Sequence, residues 1–160
     1  MIKAGVDLVT VFEGYSSTPY RCAAGVWTIG FGTTRYPDGR RVTKSDPDCT
    51  REQAEQWLHH ELEKAERVVI GYCKIYLNDK QRAALASFVY NLGSGAFRAS
   101  TLRRRINSGD WDDVPYQMSR WNKAGGRVLR GLVRRRAAEA ELWNTGVECY
   151  AATMFNRHNY

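Results

Sequence analysis

Apolar residues recur about one helical turn apart at the start of the chain. Ile2, Val6, Val9 and Phe12 fall on one face, and Gly14 ends the run. The period then changes. From Tyr15 to about Thr34, aromatic and β-branched residues interleave with Gly25, Gly30 and Gly32, the pattern of short irregular strands, and Pro37-Asp38-Gly39 adds a turn. Thr50 and Gln53 have the form of a capping box, and Ala54, Leu58, Leu62, Ala65 and Val69 make the apolar stripe of a long helix. A further helix from about Asp79 carries Ala84, Leu85, Phe88, Val89 and Leu92 and ends at Gly93. Shorter helical pieces follow around Thr101 to Asn107 and Asp112 to Trp121, then a glycine break at Gly125-Gly126. The last helix is predicted over roughly Gly131 to Trp143, with Gly146 beyond its end. Val147 to Tyr160 has no clear period and is read as a tail packed across the surface.

This order of elements is α+β and mainly α. A chain of 160 residues, 43% hydrophobic, buries about two thirds of its unfolded surface, enough for one domain over residues 1–160. Within it the pattern gives an N-terminal helix (1–12), a small lobe with a hairpin (about 13–49), a linking helix (about 50–72) and a helical lobe (about 73–160). No apolar run of about 18 residues occurs, so the polypeptide as given neither spans a membrane nor opens with a cleavable leader. An upstream targeting segment remains compatible with it.

The net charge of +7 is concentrated. Between Arg98 and Arg136, eleven Lys or Arg face Asp110, Asp112 and Asp113, a balance of 11 − 3 = +8, which leaves −1 for the remainder. Such a patch suits a polyanion: nucleic acid, an anionic membrane or an acidic wall polymer. It is also what a solvated Arg-rich helix face looks like. The four cysteines, Cys22, Cys49, Cys73 and Cys149, contain no CxxC pair, and the histidines lack zinc-ligand spacing, so neither a metal nor another cofactor is expected. A straight helix between Cys49 and Cys73 would hold them about 30 Å apart. If a bridge forms, Cys73 with Cys149 is the better pairing, because both lie in the second lobe.

The candidate chemistry sits in FEGYSSTPYRCAAGVWTIGFGTT, where Glu13, Cys22 and Thr28 fall within sixteen positions. Glu13 follows an apolar helix, so the negative end of the macrodipole and neighbours such as Phe12 would favour its neutral, proton-donating form. A protonated carboxyl is what cleavage of a glycosidic bond requires of its general acid. The alternative is an ordinary surface glutamate at a helix end. Thr28 could hold a water, and Cys22 could assist as a minority thiolate, whose formation a nearby charged Glu13 would hinder.

Glu13, eight residues, Cys22, five residues, Thr28 resembles the motif of the phage-type lysozymes, the muramidase endolysins of glycoside hydrolase family 24, in a variant with Cys at the usual Asp position. WTIGFGTT, NDKQRAALASFVYNLGSGAF and RWNKAGGRVLRGLVRRRAAEAELW extend the resemblance over roughly Ile2 to Gly146. It implies a two-lobed lysozyme-like fold with a small N-terminal hairpin subdomain and a helical C-terminal lobe. The implied reaction is hydrolysis of the β-1,4 bond between N-acetylmuramic acid and N-acetylglucosamine in peptidoglycan. Carried over by position, Glu13 is the acid, while Cys22 and Thr28 assist the water. Gly32, Thr34, Tyr90, Asn91 and Thr101 contact saccharide, and Gly125 and Gly126 let backbone approach the cleft.

The resemblance further implies a monomer that acts in the periplasm. It would wait in the host cytoplasm until a holin releases it, or be exported if an N-terminal signal-anchor belongs to a longer form. Relatives with the Cys variant include anchored enzymes held inactive by a disulfide to that thiol, so Cys22 is a possible redox lock. Thr33 departs from the His found there in many relatives. Arg127 is singled out as the ion-pair partner of Glu13, and the basic lobe is expected to hold an anionic membrane or wall polymer. Two other classes compete: a wall-binding protein that has lost catalysis, and a nucleic-acid-binding module. The second is not expected, because no signature of nucleic-acid recognition accompanies the charge.

Overall fold

The first helix, α1 (Ile2–Phe12), ends one residue before Glu13, whose amide still donates to Val9 O at 2.9 Å. In this computed structural model, which describes residues 2–157, α1 packs against two later helices, α2 (Arg51–Tyr72) and α3 (Asp79–Leu92). Gly5 faces both helices: a Cβ there would meet Leu62 Cδ1 at 3.6 Å and Ala83 Cβ at 3.9 Å, ordinary van der Waals distances. The final carboxylate of this segment is therefore held against helices that arrive much later in the chain.

A hairpin of β1 (Ser16–Arg21) and β2 (Trp27–Gly30) follows, antiparallel, with Tyr20 opposite Thr28 and Arg21 opposite Trp27. Its register is irregular between Ser16 and Tyr20, where Pro19 has no N–H to give to the ladder. Ile29 and Thr33 then exchange backbone bonds of 2.9 Å, which folds the chain back over Phe31. Tyr36 to Gly39 closes a turn with Gly39 N donating to Tyr36 O at 2.9 Å. Asp46 fastens this loop, accepting from Tyr36 Oη, Thr43 N and Arg40 Nη1 at 2.8–2.9 Å.

Thr50 and Gln53 form the predicted reciprocal cap of α2, and Ala54, Leu58, Leu62, Ala65 and Val69 are its buried stripe. Asn78 and Gln81 cap α3 in the same way. Ala83 to Val89 of α3 are all buried, because α1, α2, α4 (Ser94–Ala99) and α7 (Arg130–Arg157) pack around it. Between α4 and α7 come α5 (Thr101–Ser108), a 3₁₀ turn at Trp111–Asp113 and α6 (Val114–Ser119). The mainly helical α+β expectation holds.

Two sequence readings change. Lys123–Ala124 (β3) and Arg127–Val128 (β4) pair as an exposed hairpin around Gly125 and Gly126, whose φ of +56° and +76° supply a two-residue turn. Nothing lies within 4 Å of a Cβ built at either glycine, so both face open space on the hairpin. The last helix also continues through Gly146 into the segment read as a tail, whose residues 158–160 lie outside the described ones. Gly146 is a packing glycine. A Cβ there would stand 2.8 Å from Gln81 Cγ and 2.9 Å from Asn78 Oδ1, and Asn78 Nδ2 donates to Gly146 O at 2.6 Å.

The suggested Cys73 to Cys149 bridge is not formed. Cys73 caps the end of α2, where burial pushes its thiol up to about 11 against the pull of Arg103. Cys149 instead lies beside Lys80, with Sγ 3.7 Å from Nζ at the start of α3.

Candidate active site

Glu13 is drawn into an ion pair by a residue 122 positions away: Arg135 Nη1 donates to Glu13 Oε1 at 2.8 Å. The carboxylate keeps about a quarter of its side-chain surface exposed, whereas the guanidinium is buried. Arg127, the partner expected from sequence, cannot take this place because β4 carries it on the exposed hairpin. Arg135 is on the inward face of α7 with Arg136, Glu139 and Trp143, each almost fully buried. Glu139 Oε1 accepts from Ser87 Oγ at 2.7 Å, Arg136 Nη2 at 3.0 Å and Arg135 Nε at 3.4 Å. Arg136 Nη2 also reaches Asn91 Oδ1 at 2.9 Å.

The free side of Glu13 faces a cleft of about 580 Å³ whose lining includes Gly32, Thr34, Glu61, Lys64, Tyr90 and Asn91. Gly32, at φ +82°, passes so close that a Cβ would lie 3.4 Å from Glu13 Oε2 and 3.3 Å from Tyr90 Oη. Tyr90 Oη donates to Phe31 O at 2.9 Å, which ties α3 to the segment after the hairpin. Burial, and next the charge of Glu13, push the Tyr90 hydroxyl well above its ordinary range, so it stays a neutral donor. Lys64 Nζ and Glu61 pair at 2.7 Å on the α2 wall.

Cys22 and Thr28 meet at the end of the hairpin. Cys22 N donates to Val26 O at 3.0 Å and Gly25 N to Cys22 O at 2.8 Å, which curls the loop so that amides point at the sulfur. The Val26 N–H, then that of Ala24, hold the Cys22 thiol below its ordinary value, with a smaller contribution from the Thr28 hydroxyl. This reverses the direction expected from sequence, which counted Glu13 and not the local N–H groups. Thr28 is buried, its Oγ1 donating to Val26 O at 3.0 Å. Its strand partner is Tyr20, and neither Cys22 nor Thr28 is among the residues that line the cleft with Glu13.

Of the residues inferred from sequence, Glu13, Gly32, Thr34, Tyr90 and Asn91 share the cleft wall. Thr101 opens α5 and is not among the lining residues; its Oγ1 accepts from Arg104 Nη2 at 2.8 Å. Gly125 and Gly126 occupy the exposed turn already described.

A family described as phage lysozyme matches residues 10–139, a span that starts before Glu13 and ends at Glu139. The chain belongs to the phage lysozyme family. Among the relatives of this phage lysozyme, a SAR-endolysin of Enterobacteria phage PA-2 is 38% identical over 82% of this chain and 78% of its own. The endolysin of Escherichia coli O157:H7 phage FAHEc1 superposes with a TM-score of 0.80 at 34% identity, covering 88% of this chain and 90% of that one. The muramidase domain of SpmX from Asticaccaulis excentricus does so with 0.76 at 32%, covering 88% and 95%. This phage lysozyme is a glycoside hydrolase of peptidoglycan.

Arg135 was missed for a physical reason. On α7 the buried stripe, among the described residues, consists of Arg135, Arg136, Glu139, Trp143 and Gly146, so hydropathy alone assigns its charged members to solvent. Their shared three- and four-residue spacing with Trp143 was the available signal.

Proposed function

We propose that this phage lysozyme cleaves the β-1,4 bond between N-acetylmuramic acid and N-acetylglucosamine, with Glu13 as proton donor to the glycosidic oxygen. The observation that carries the reading is the Glu13 carboxyl on the cleft wall, anchored through one oxygen by Arg135 while Oε2 faces Gly32. A carboxyl fixed at one oxygen presents the other to substrate in a defined direction. Gly32, Thr34, Tyr90 and Asn91 line the sugar subsites. The bare backbone at Gly32 lets a pyranose ring approach Glu13.

Cys22 and Thr28 assist the attacking water. N–H groups that favour the thiolate raise the fraction of Cys22 able to accept a proton, and the Thr28 hydroxyl orients the same water. The exposed arginines Arg127, Arg130 and Arg134 hold acidic wall polymer or the anionic membrane. Arg135 and Arg136, counted from sequence in the same basic patch, are withdrawn into the site. The enzyme works as a monomer on periplasmic peptidoglycan, reached through a holin or by export of a signal-anchored form, with oxidation of Cys22 as a lock on activity.

The bond assignment is tested by digesting purified peptidoglycan, reducing the new ends with borohydride and hydrolysing the product. Reduced muramic acid alone supports the assignment. Reduced glucosamine would contradict it.

A further inference from the structure

Two glutamates share one arginine in this site. Arg135 gives Nη1 to Glu13 at 2.8 Å and Nε to Glu139 at 3.4 Å, so its charge is divided between a carboxylate open to the cleft and one wholly buried. Arg136 stands beside it, with Nε 2.8 Å from Glu139 Oε2 in an ion pair that lacks the alignment of a hydrogen bond. A neutral Glu139 would leave these two buried guanidiniums with Glu13 as their shared counter-ion. Burial pushes the Glu139 carboxyl above its ordinary value, but Arg136, Ser87 and Arg135 all oppose that push by favouring the anion.

From this arrangement we infer that Glu139 is a positioning residue for the acid step. It takes up part of the Arg135 charge and balances Arg136, so that Glu13 is oriented by Arg135 without being locked as a carboxylate. The inference rests on Glu13 being the proton donor. Coulomb attraction from two uncompensated guanidiniums would favour the charged form of Glu13 and weaken it as an acid near neutral pH. Among the described residues, the other charged or titratable groups lining the cleft with Glu13 are Tyr90 from α3, the Glu61–Lys64 pair from α2, and Arg35 and Tyr36 from the loop after the hairpin, none of which is altered in the test below. Ser87 and Asn91 of α3 complete the polar surroundings of Glu139 and Arg136.

The test is the pH dependence of kcat on purified peptidoglycan at fixed ionic strength. Removing one charge across a few ångströms of protein is worth about one pH unit at an effective dielectric of about 20. Glu139→Gln is expected to move the alkaline limb of kcat about one unit toward acid, with KM little changed. Glu139→Asp keeps the charge and is expected to restore most of the limb. Arg136→Met combined with Glu139→Gln removes one charge of each sign and is expected to return the limb to its original position.

Ser87→Ala takes away the 2.7 Å donor that favours the Glu139 anion, so the limb should move a few tenths of a unit toward acid. This small deletion decides the matter if Glu139→Gln does not fold. A mere loosening of the core would not be undone by removing Arg136 as well. An unmoved limb in Glu139→Gln, a shift that the double variant fails to undo, or an alkaline shift in Ser87→Ala would overturn the inference. Glu13→Gln separates the two readings: if it retains hydrolysis, Glu13 is not the donor. If it is inactive while Glu139→Gln titrates like wild type, only the role of Glu139 fails.

Discussion

Arg135 Nη1 meets Glu13 Oε1 at 2.8 Å, joining the last helix to the end of the first. The guanidinium is buried and also serves Glu139, so its removal strips Glu13 of its counter-ion and leaves Glu139 to Arg136. Arg135→Met is expected to lower stability by about 3 kcal/mol and to abolish lysis. Arg127→Ala, on the exposed hairpin, should leave melting temperature and kcat on purified peptidoglycan close to wild type, with only wall binding, and so KM, weakened. Thermal melts and turbidity assays on the two variants distinguish these outcomes.

Gly32 is the narrowest point between Glu13 and Tyr90. Gly32→Ala places a methyl 3.3 Å from Tyr90 Oη and 3.4 Å from Glu13 Oε2 at a φ of +82°. The backbone conformation alone costs about 1–2 kcal/mol. Activity should fall by more than that loss of stability explains, because the methyl stands where substrate meets the acid. Measured kcat/KM and melting temperature should therefore diverge.

Gly146→Ala tests how α7 is seated. Alanine favours a helix interior by about 1 kcal/mol over glycine, yet its Cβ would enter within 2.8 Å of Gln81 Cγ. Net destabilisation of about 1–3 kcal/mol is expected from overpacking. A rise in melting temperature would show that α7 does not lie on α3 as described.

What could be read from sequence was local. The Thr50–Gln53 cap and the stripe from Ala54 to Val69 depend on neighbours within a few turns, and both appear as predicted. Glu13 at a helix end, the interleaved strands around Trp27 and the Gly93 cap are equally local. The Arg135 pair joins segments 122 residues apart, and the fate of Gly125 and Gly126 depends on where their hairpin lies. The direction for Cys22 failed at short range, because two backbone N–H groups outweighed the distant charge considered from sequence. The end of α7 was missed because a packing glycine and a capping glycine look alike in sequence.

The loop carrying Thr34 and Arg35 depends on Asp46. The Thr43 N–H, then Arg40, Tyr36 and the Thr43 hydroxyl, hold its carboxyl well below the usual range, while Tyr36 is pushed up to about 12, mainly by burial. With its value lowered in the folded state, Asp46 contributes stability above its unfolded value near about 3.9 and loses it as pH falls toward the lower folded one. Melting temperature should drop between about pH 4 and pH 2, and Asp46→Asn should flatten that part of the curve. An unchanged acid slope in the variant would assign the effect to other groups.

Cys22 should tolerate replacement better than Glu13. Cys22→Asp supplies a carboxylate to act on the water and is expected to keep or raise activity, whereas Cys22→Ala removes the proton acceptor and should lower kcat by about 10- to 100-fold. Equal activity in wild type and Cys22→Ala would show that water attacks without help from the thiol.

The most direct measurement is the release of reducing ends from purified peptidoglycan by wild type and Glu13→Gln, with melting temperature and pelleting on the same wall material followed in parallel. The account predicts a loss of at least about 100-fold in kcat with folding and wall binding retained. Hydrolysis by folded Glu13→Gln within a few fold of wild type would contradict it.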